Sequence, residues 1–200
     1  MKKVPFSIVD GFPESQRDLV VRLFWQAFRQ KLNQVMQPET KAQAFLRRVA
    51  DPTHAVSALS PDGSVIGIAG FKTANGAFIG GGLGDMCAVY GIVGGFWRGL
   101  LLSLLERPLQ AETLLMDGIF VGNDARGQGV GTSLLTAIKE RAVARGCSHV
   151  RLDVIDNNPR ARRLYEQQGF VAEETIEMGP LLRRLFRFRR ATTMIWTKTG

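Results

Sequence analysis

The sequence predicts an α/β fold, seven strands with helices between them, and three stretches carry the prediction. Leu114 to Val121 is short, apolar and partly β-branched or aromatic, as a buried strand is. Gly122-Asn123-Asp124 breaks it, and a glycine-rich turn, Arg126 to Gly131, leads into helical periodicity from Thr132 to Arg145. Ala55–Ser60 and Val65–Lys72 flank Pro61-Asp62-Gly63, the pattern of a β-hairpin. Val150 to Ile155 alternates Val150, Leu152 and Val154 with Arg151 and Asp153, so the charged pair is expected to point outward. The 200 residues fit one domain over 1–200 with room for a large insertion.

In chain order, Ser7 to Val9 is a first strand, ended by Asp10-Gly11. Ser15, with Asp18 three residues on, predicts a capped helix start. The helix that follows puts Leu19, Leu23 and Ala27 on one face with Val20, Phe24 and Phe28 beside it. Pro38 to Val49 spaces Ala42, Phe45, Leu46 and Val49 as a second helix. Trp25, Phe28, Gln34 and Met36 are expected in the core, with a substrate pocket as the alternative. His54 stands alone after Pro52 and is a weak candidate base.

Residues 74–113 read as an inserted helical element. They hold Asn75-Gly76, the run Gly80-Gly81-Gly82, and a stretch from Met86 to Leu105 whose single charge is Arg98. Twenty such residues are long enough to span a bilayer. Gly91, Gly94, Gly95, Gly99 and the mid-stretch arginine argue against a lipid-facing span. A lid or packing element is expected first, and a surface for a homodimer or another partner second. Tyr90, Phe96 and Trp97 are the candidates there for contact with a substrate.

After the glycine turn, Leu135, Ile138 and Ala142 face inward and Gly146 ends the helix. His149 is expected at the surface before the next strand. Asn158 is placed as an N-cap with Pro159 at the first helical position. Ala161, Leu164, Tyr165 and Gln168 share a face, and Gly169 closes that helix. Phe170–Glu177 and Ala191–Lys198 complete the strands, joined by a basic loop.

The formal charge of +8 is uneven: residues 1–120 carry 12 basic and 10 acidic side chains, residues 121–200 carry 14 and 8. Arg183, Arg184, Arg187, Arg189 and Arg190 form the peak, interleaved with Phe186 and Phe188. Such a loop suits an anion, and an accessory role is favoured over a dedicated nucleic-acid or membrane site. Cys87 and Cys147 offer no zinc spacing and no disulfide framework, and fit a reducing cytoplasm. Met1-Lys2-Lys3 leads into no long apolar segment, so no signal peptide is expected. No metal site is expected.

A strand that turns through glycines into a helix presents free backbone N–H groups at the positive end of the helix dipole, a site for phosphate. A Walker loop would need a lysine after its last glycine, and Gly131 is followed by Thr132. A dinucleotide fingerprint would need a third glycine where Thr132 stands. The pattern Arg/Gln-x-x-Gly-x-Gly/Ala directly after a strand is filled by Arg126, Gly129 and Gly131. Here the segment resembles the acyl-CoA pyrophosphate loop of the GNAT N-acetyltransferase superfamily. A second match supports it: Asn158-Pro159-Arg160-Ala161-Arg162-Arg163-Leu164-Tyr165-Glu166-Gln167-Gln168-Gly169-Phe170 is similar to the family's Asn-x-x-Ala-x-x-Leu-Tyr-Glu-x-x-Gly-Phe, one helix and one strand later.

The resemblance implies a mixed, mostly antiparallel seven-stranded sheet flanked by helices; the helical insertion between strands 3 and 4 departs from the tight turn usual there. It implies acetyl-CoA as cosubstrate, wedged between splayed central strands. Backbone groups of Ile119, Phe120 and Val121 would hold the pantetheine, and the amides of Arg126, Gly127, Gln128, Gly129, Val130, Gly131 and Thr132 the pyrophosphate. Asn158 would touch the cofactor arm or serve only as a cap. Tyr165 matches the position that protonates the departing thiolate. Asp117 is the candidate base, with Glu112 the weaker one. The implied reaction is direct attack by a small-molecule or peptide amine in a ternary complex. The rivals are an acyl-CoA sensor without turnover and a polyanion binder.

Overall fold

The computed structural model describes residues 5–104, 106 and 108–198. The basic start Met1-Lys2-Lys3 and the last residue of the Met86–Leu105 stretch lie outside those residues. The strands are β1 (Ser7–Asp10), β2 (Ala55–Leu59), β3 (Val65–Thr73), β4 (Gly76–Ala77), β5 (Thr113–Val121), β6 (His149–Ile155), β7 (Val171–Glu177) and β8 (Arg190–Thr197). The helices are α1 (Arg17–Met36), α2 (Glu39–Val49), α3 (Leu83–Tyr90), α4 (Ile92–Ser103), α5 (Val130–Ala144), α6 (Pro159–Gln167) and α7 (Pro180–Phe186). The sheet runs β1-β2-β3-β5-β6-β8-β7, with the two-residue β4 beside β3. β5 and β6 pair in parallel, and the other pairings are antiparallel. The path of seven strands matches the expected sheet; β4 is an addition that the sequence did not announce.

Helices cover both faces. On one, Val130, Leu134, Leu135 and Ile138 of α5 pack with Tyr165 of α6 against Phe71, Met116 and Leu152. On the other, α1 lies over Phe78 and Phe120. A further core joins α1, α2, the insertion and α7 through Trp25, Phe45, Tyr90 and Phe186. The hairpin turn is built as expected. Gly63 takes φ +83°, and Ser60 donates its N–H to Ser64 O at 2.9 Å.

Four local expectations are corrected. Helix α1 begins at Arg17 behind a 3₁₀ turn at Glu14–Gln16, and no side chain caps it, so Ser15 is not its cap. Its buried residues are Val20, Val21, Trp25, Val35 and Met36; of the predicted face, Leu19 and Leu23 are half-buried and Ala27 is exposed. The basic stretch is no plain loop: residues 180–186 form α7, and Phe186 and Phe188 are buried beneath the arginines. Arg151 is buried, not outward, and its guanidinium reaches Thr193 Oγ1 of the neighbouring β8, while Asp153 on the same face is exposed as expected.

The insertion folds as a helical hairpin. Gly91 turns it at φ +78°. At the crossing of α3 and α4, a Cβ on Gly95 would lie 2.5 Å from the Cys87 backbone, so only glycine permits that approach. Arg98 ties the hairpin to α1. Its guanidinium donates to Val35 O at 2.8 Å and Gln37 O at 3.0 Å, and stacks 4.3 Å over the Tyr90 ring. Among the described residues, no helix is long and apolar enough to cross a membrane.

Candidate active site

The centre of the sheet is split. β5 and β6 pair only at Thr113–His149, Leu114–Val150 and Leu115–Arg151, although β5 runs on to Val121 and β6 to Ile155. A cavity of about 730 Å³ lies in this divergence, lined from β5 by Met116 to Ile119 and from β6 by Leu152 to Ile155.

A β-bulge in β5 starts the split. Gly70 of β3 pairs with Gly118 and Phe71 with Met116, so Asp117 is the extra residue with no partner opposite. The bulge also changes which face each residue takes. Met116 packs with α5, whereas a Cβ on Gly118 would meet Phe28 of α1 at 2.7 Å. Beyond it the ladder is regular, and Gly122 donates to Ile66 O at 2.9 Å. Antiparallel alternation then turns the main-chain groups of Phe120 toward β3 and those of Ile119 and Val121 toward the gap. The three residues named from sequence thus divide, with Phe120 held in the sheet and its ring among Phe24, Phe28 and Phe78.

Asp117 is exposed on the side that opens onto the cavity, while its carboxyl lies deep enough among protein atoms to be desolvated. Burial pushes its carboxyl up to about 6, against the opposing pull of Lys72, the Phe78 and Ile79 backbone N–H groups and His54. Tyr165 lines the same cavity from α6, buried against Phe170. Burial pushes its phenol well above the ordinary value, so the hydroxyl keeps its proton. Asn158 also lines the cavity, and its side chain accepts from Ala161 N at 3.2 Å, which makes it the cap of α6.

The glycine turn lies beyond the end of β5, outside the residues lining that cavity. Gly127 and Gly129 take φ +77° and +89°, and nothing lies within 4 Å of where their Cβ atoms would be. Gly129 caps α5 with no side chain, leaving the first-turn N–H groups of Val130, Gly131 and Thr132 without helical acceptors. Gly131 is tight instead: its Cβ would sit 3.1 Å from Leu164 of α6. Arg126 folds back to donate to Val121 O at 3.1 Å, and Gln128 to Asp124 O at 2.7 Å. Room for an anion and free donors therefore coincide at this turn.

Other candidates fall elsewhere. Phe28 reaches the cavity; Trp25 and Met36 are core. Gln34 faces Arg184 of α7 and Arg187 just beyond its end. Glu112 sits in a left-handed turn at φ +54°, where its carbonyl accepts from Ser148 and His149 N–H. It lines a neighbouring cavity of about 490 Å³, not the one with Asp117. His54 is buried, bridging Asp51 Oδ2 at 2.9 Å and Thr73 Oγ1 at 3.0 Å. Lys72 and Lys31, both on the cavity wall, belong to no motif in the sequence. Among the described residues, no cluster of side chains could hold a metal ion.

The sequence pattern of the acetyltransferase (GNAT) family matches residues 17–170. The chain belongs to that family. Thialysine N-epsilon-acetyltransferase of Bos taurus is 37% identical over 60 residues, which is 30% of this GNAT chain and 35% of that protein. The match thus spans about a third of that relative's length. In fold, the chain is similar to the N-acetyltransferase of Staphylococcus aureus Mu50, with a TM-score of 0.64, 14% identity and coverage of 95% and 100% of the two chains. It is likewise similar to a GCN5-related N-acetyltransferase from Kribbella flavida, with a TM-score of 0.62, 15% identity and coverage of 96% and 98%.

Proposed function

We propose that this GNAT chain is an N-acetyltransferase, one unit over residues 1–200, that moves the acetyl group of acetyl-CoA to a primary amine by direct attack in a ternary complex. The observation that carries the reading is the split between β5 and β6, with Asp117 and Tyr165 on one cavity and the glycine turn beyond the end of β5. Gap-facing groups of Ile119 and Val121 take the pantetheine as an added strand, and the turn from Arg126 to Thr132 takes the pyrophosphate with backbone N–H groups. Acetyl-CoA supplies the thioester. Asp117 takes a proton from the acceptor amine, which attacks best when neutral. One N–H on the open edge of β5 polarises the thioester carbonyl. As the carbon–sulfur bond breaks, the Tyr165 hydroxyl gives its proton to the leaving sulfur. The acceptor is a small-molecule or peptide amine; the unpaired cysteines Cys87 and Cys147 fit a cytoplasmic setting.

Calorimetric titration with acetyl-CoA tests this, beside Gly129→Asp, which adds side-chain bulk and a negative charge at the turn. Binding to the wild type and none to the variant is expected, followed by free thiol release with an amine panel. Binding without thiol release from any amine would make the chain an acyl-CoA sensor. No binding at all would overturn the proposal.

A further inference from the structure

The inserted hairpin is anchored on one side and bare on the other. Inward, the Tyr90 hydroxyl donates to Met36 O at 2.6 Å, and Arg98 is spent on carbonyls of the α1 end. Outward, Ile92 and Val93 are each 81% exposed, and Leu100, Phe96 and Leu104 are 61%, 58% and 54% exposed. Trp97 joins them, and so does Leu83 of α3, which a Cβ on Gly99 would touch. At 100° per residue the α4 members fall within an arc of about 140°. Residues 93, 96, 97, 100 and 104 recur at spacings of three and four, the seam of a helix made to lie along another helix.

The area is more than a free chain normally shows. Seven large apolar side chains bared to this extent present roughly 800 Å², what one partner contributes to a standard protein interface. The largest apolar patch of a typical monomer is about 300–600 Å².

We propose that this face docks a second copy of the chain, α4 against α4 about a twofold axis. A twofold interface must be complementary to itself. The stripe contains no charged residue, so two copies meet there without like-charge contact although each carries a net +8. The one charged residue of α4, Arg98, is turned into its own protein, so the helix offers no free cation for anionic lipid headgroups or an acidic partner. The same helix runs on to the cavity, where Leu102 and, just beyond it, Glu106 form part of the wall. A dimer at α4 therefore steadies that wall. The proposal is independent of acetyl transfer, because it uses no residue of β5, β6 or the glycine turn.

Sedimentation equilibrium of the whole chain from about 1 to 50 μM, beside Val93→Glu/Leu100→Glu, tests it. The wild type is expected at twice its chain mass, and the variant at its single mass with an unchanged circular dichroism spectrum, a dissociation constant raised at least ~100-fold. Hydrogen exchange of the wild type needs no variant: dilution should speed exchange in residues 92–104 above all. A wild type that stays monomeric overturns the proposal, and if that monomer pellets with phosphatidylglycerol vesicles the face is a lipid site instead. A folded variant that remains dimeric, or concentration-dependent protection confined to other elements, overturns it too.

Discussion

Asp117 concentrates the chemistry at the scale of single residues. Its raised value has two consequences of opposite benefit. As the proposed base it works ionised, so kcat/KM should rise with pH through about 6. Asp117→Asn should lower kcat/KM by roughly 10²–10⁴ and remove that limb. For stability the sign reverses. In the folded chain this carboxyl holds its proton up to about 6, whereas in the unfolded chain it releases it near the ordinary aspartate value of 3.8. Ionising it thus weakens the fold progressively between those values, and the full cost stands above 6. The asparagine variant should melt above the wild type at pH 7.5, with the gap closing as pH falls toward 4. Thermal scans across that range check the sign. Tyr165→Phe should lower turnover while leaving acetyl-CoA affinity unchanged, which single-turnover kinetics and calorimetry separate. Both residues were candidates from the sequence, Tyr165 from its motif and Asp117 from its place in the strand, and the structure puts both on the wall of one cavity. The side Asp117 uses was not legible, since Leu114 to Val121 is apolar on both faces and hides the phase shift of a bulge.

At the scale of elements, what was legible is what has a local code. The cap at Asn158, the turn at Asp62-Gly63 and the left-handed glycines at 127, 129, 146 and 169 each follow from chemistry within a few residues. Helix α7 was missed although Leu181, Leu182, Leu185 and Phe186 have helical spacing after Pro180, because five arginines dominate the composition. Its packing is tertiary, against α1 and the insertion. The insertion was expected as a lid or packing element, and at Gly95 the structure makes a glycine its packing contact. Gly95→Val should force α3 and α4 apart and destabilise by about 1–3 kcal/mol through overpacking. Urea unfolding measures that loss, and Gly84→Val, where nothing lies within 4 Å of the Cβ site, is the control for valine in an insertion helix.

Across the whole molecule, one sheet is made of two parts that share three residue pairs at β5–β6. A ligand laid between them adds bonds where the protein has none. Acetyl-CoA at ~100 times its dissociation constant should stabilise the fold by about 2.7 kcal/mol. The accompanying hydrogen-exchange protection should centre on residues 116–121 and 152–155, on both banks of the cavity. The overall arrangement was legible because two motifs fix the strands on each side of the split. The insertion surface was not, because twenty weakly charged residues read alike whether they face lipid, a core or another chain.

The extra residue in β5 makes the strand sensitive to counting. Side chains alternate strictly, so the chain has a parity on each side of Asp117, and that one residue sets the offset. Deleting it would not shorten a loop. It would exchange odd and even from residue 118 to 121, turning the Phe120 ring out of its aromatic cluster and Ile119 into its place. Compensating would take a second insertion within the same strand. Lineages of this chain can therefore vary the length of their loops freely, while the register here changes only in matched steps.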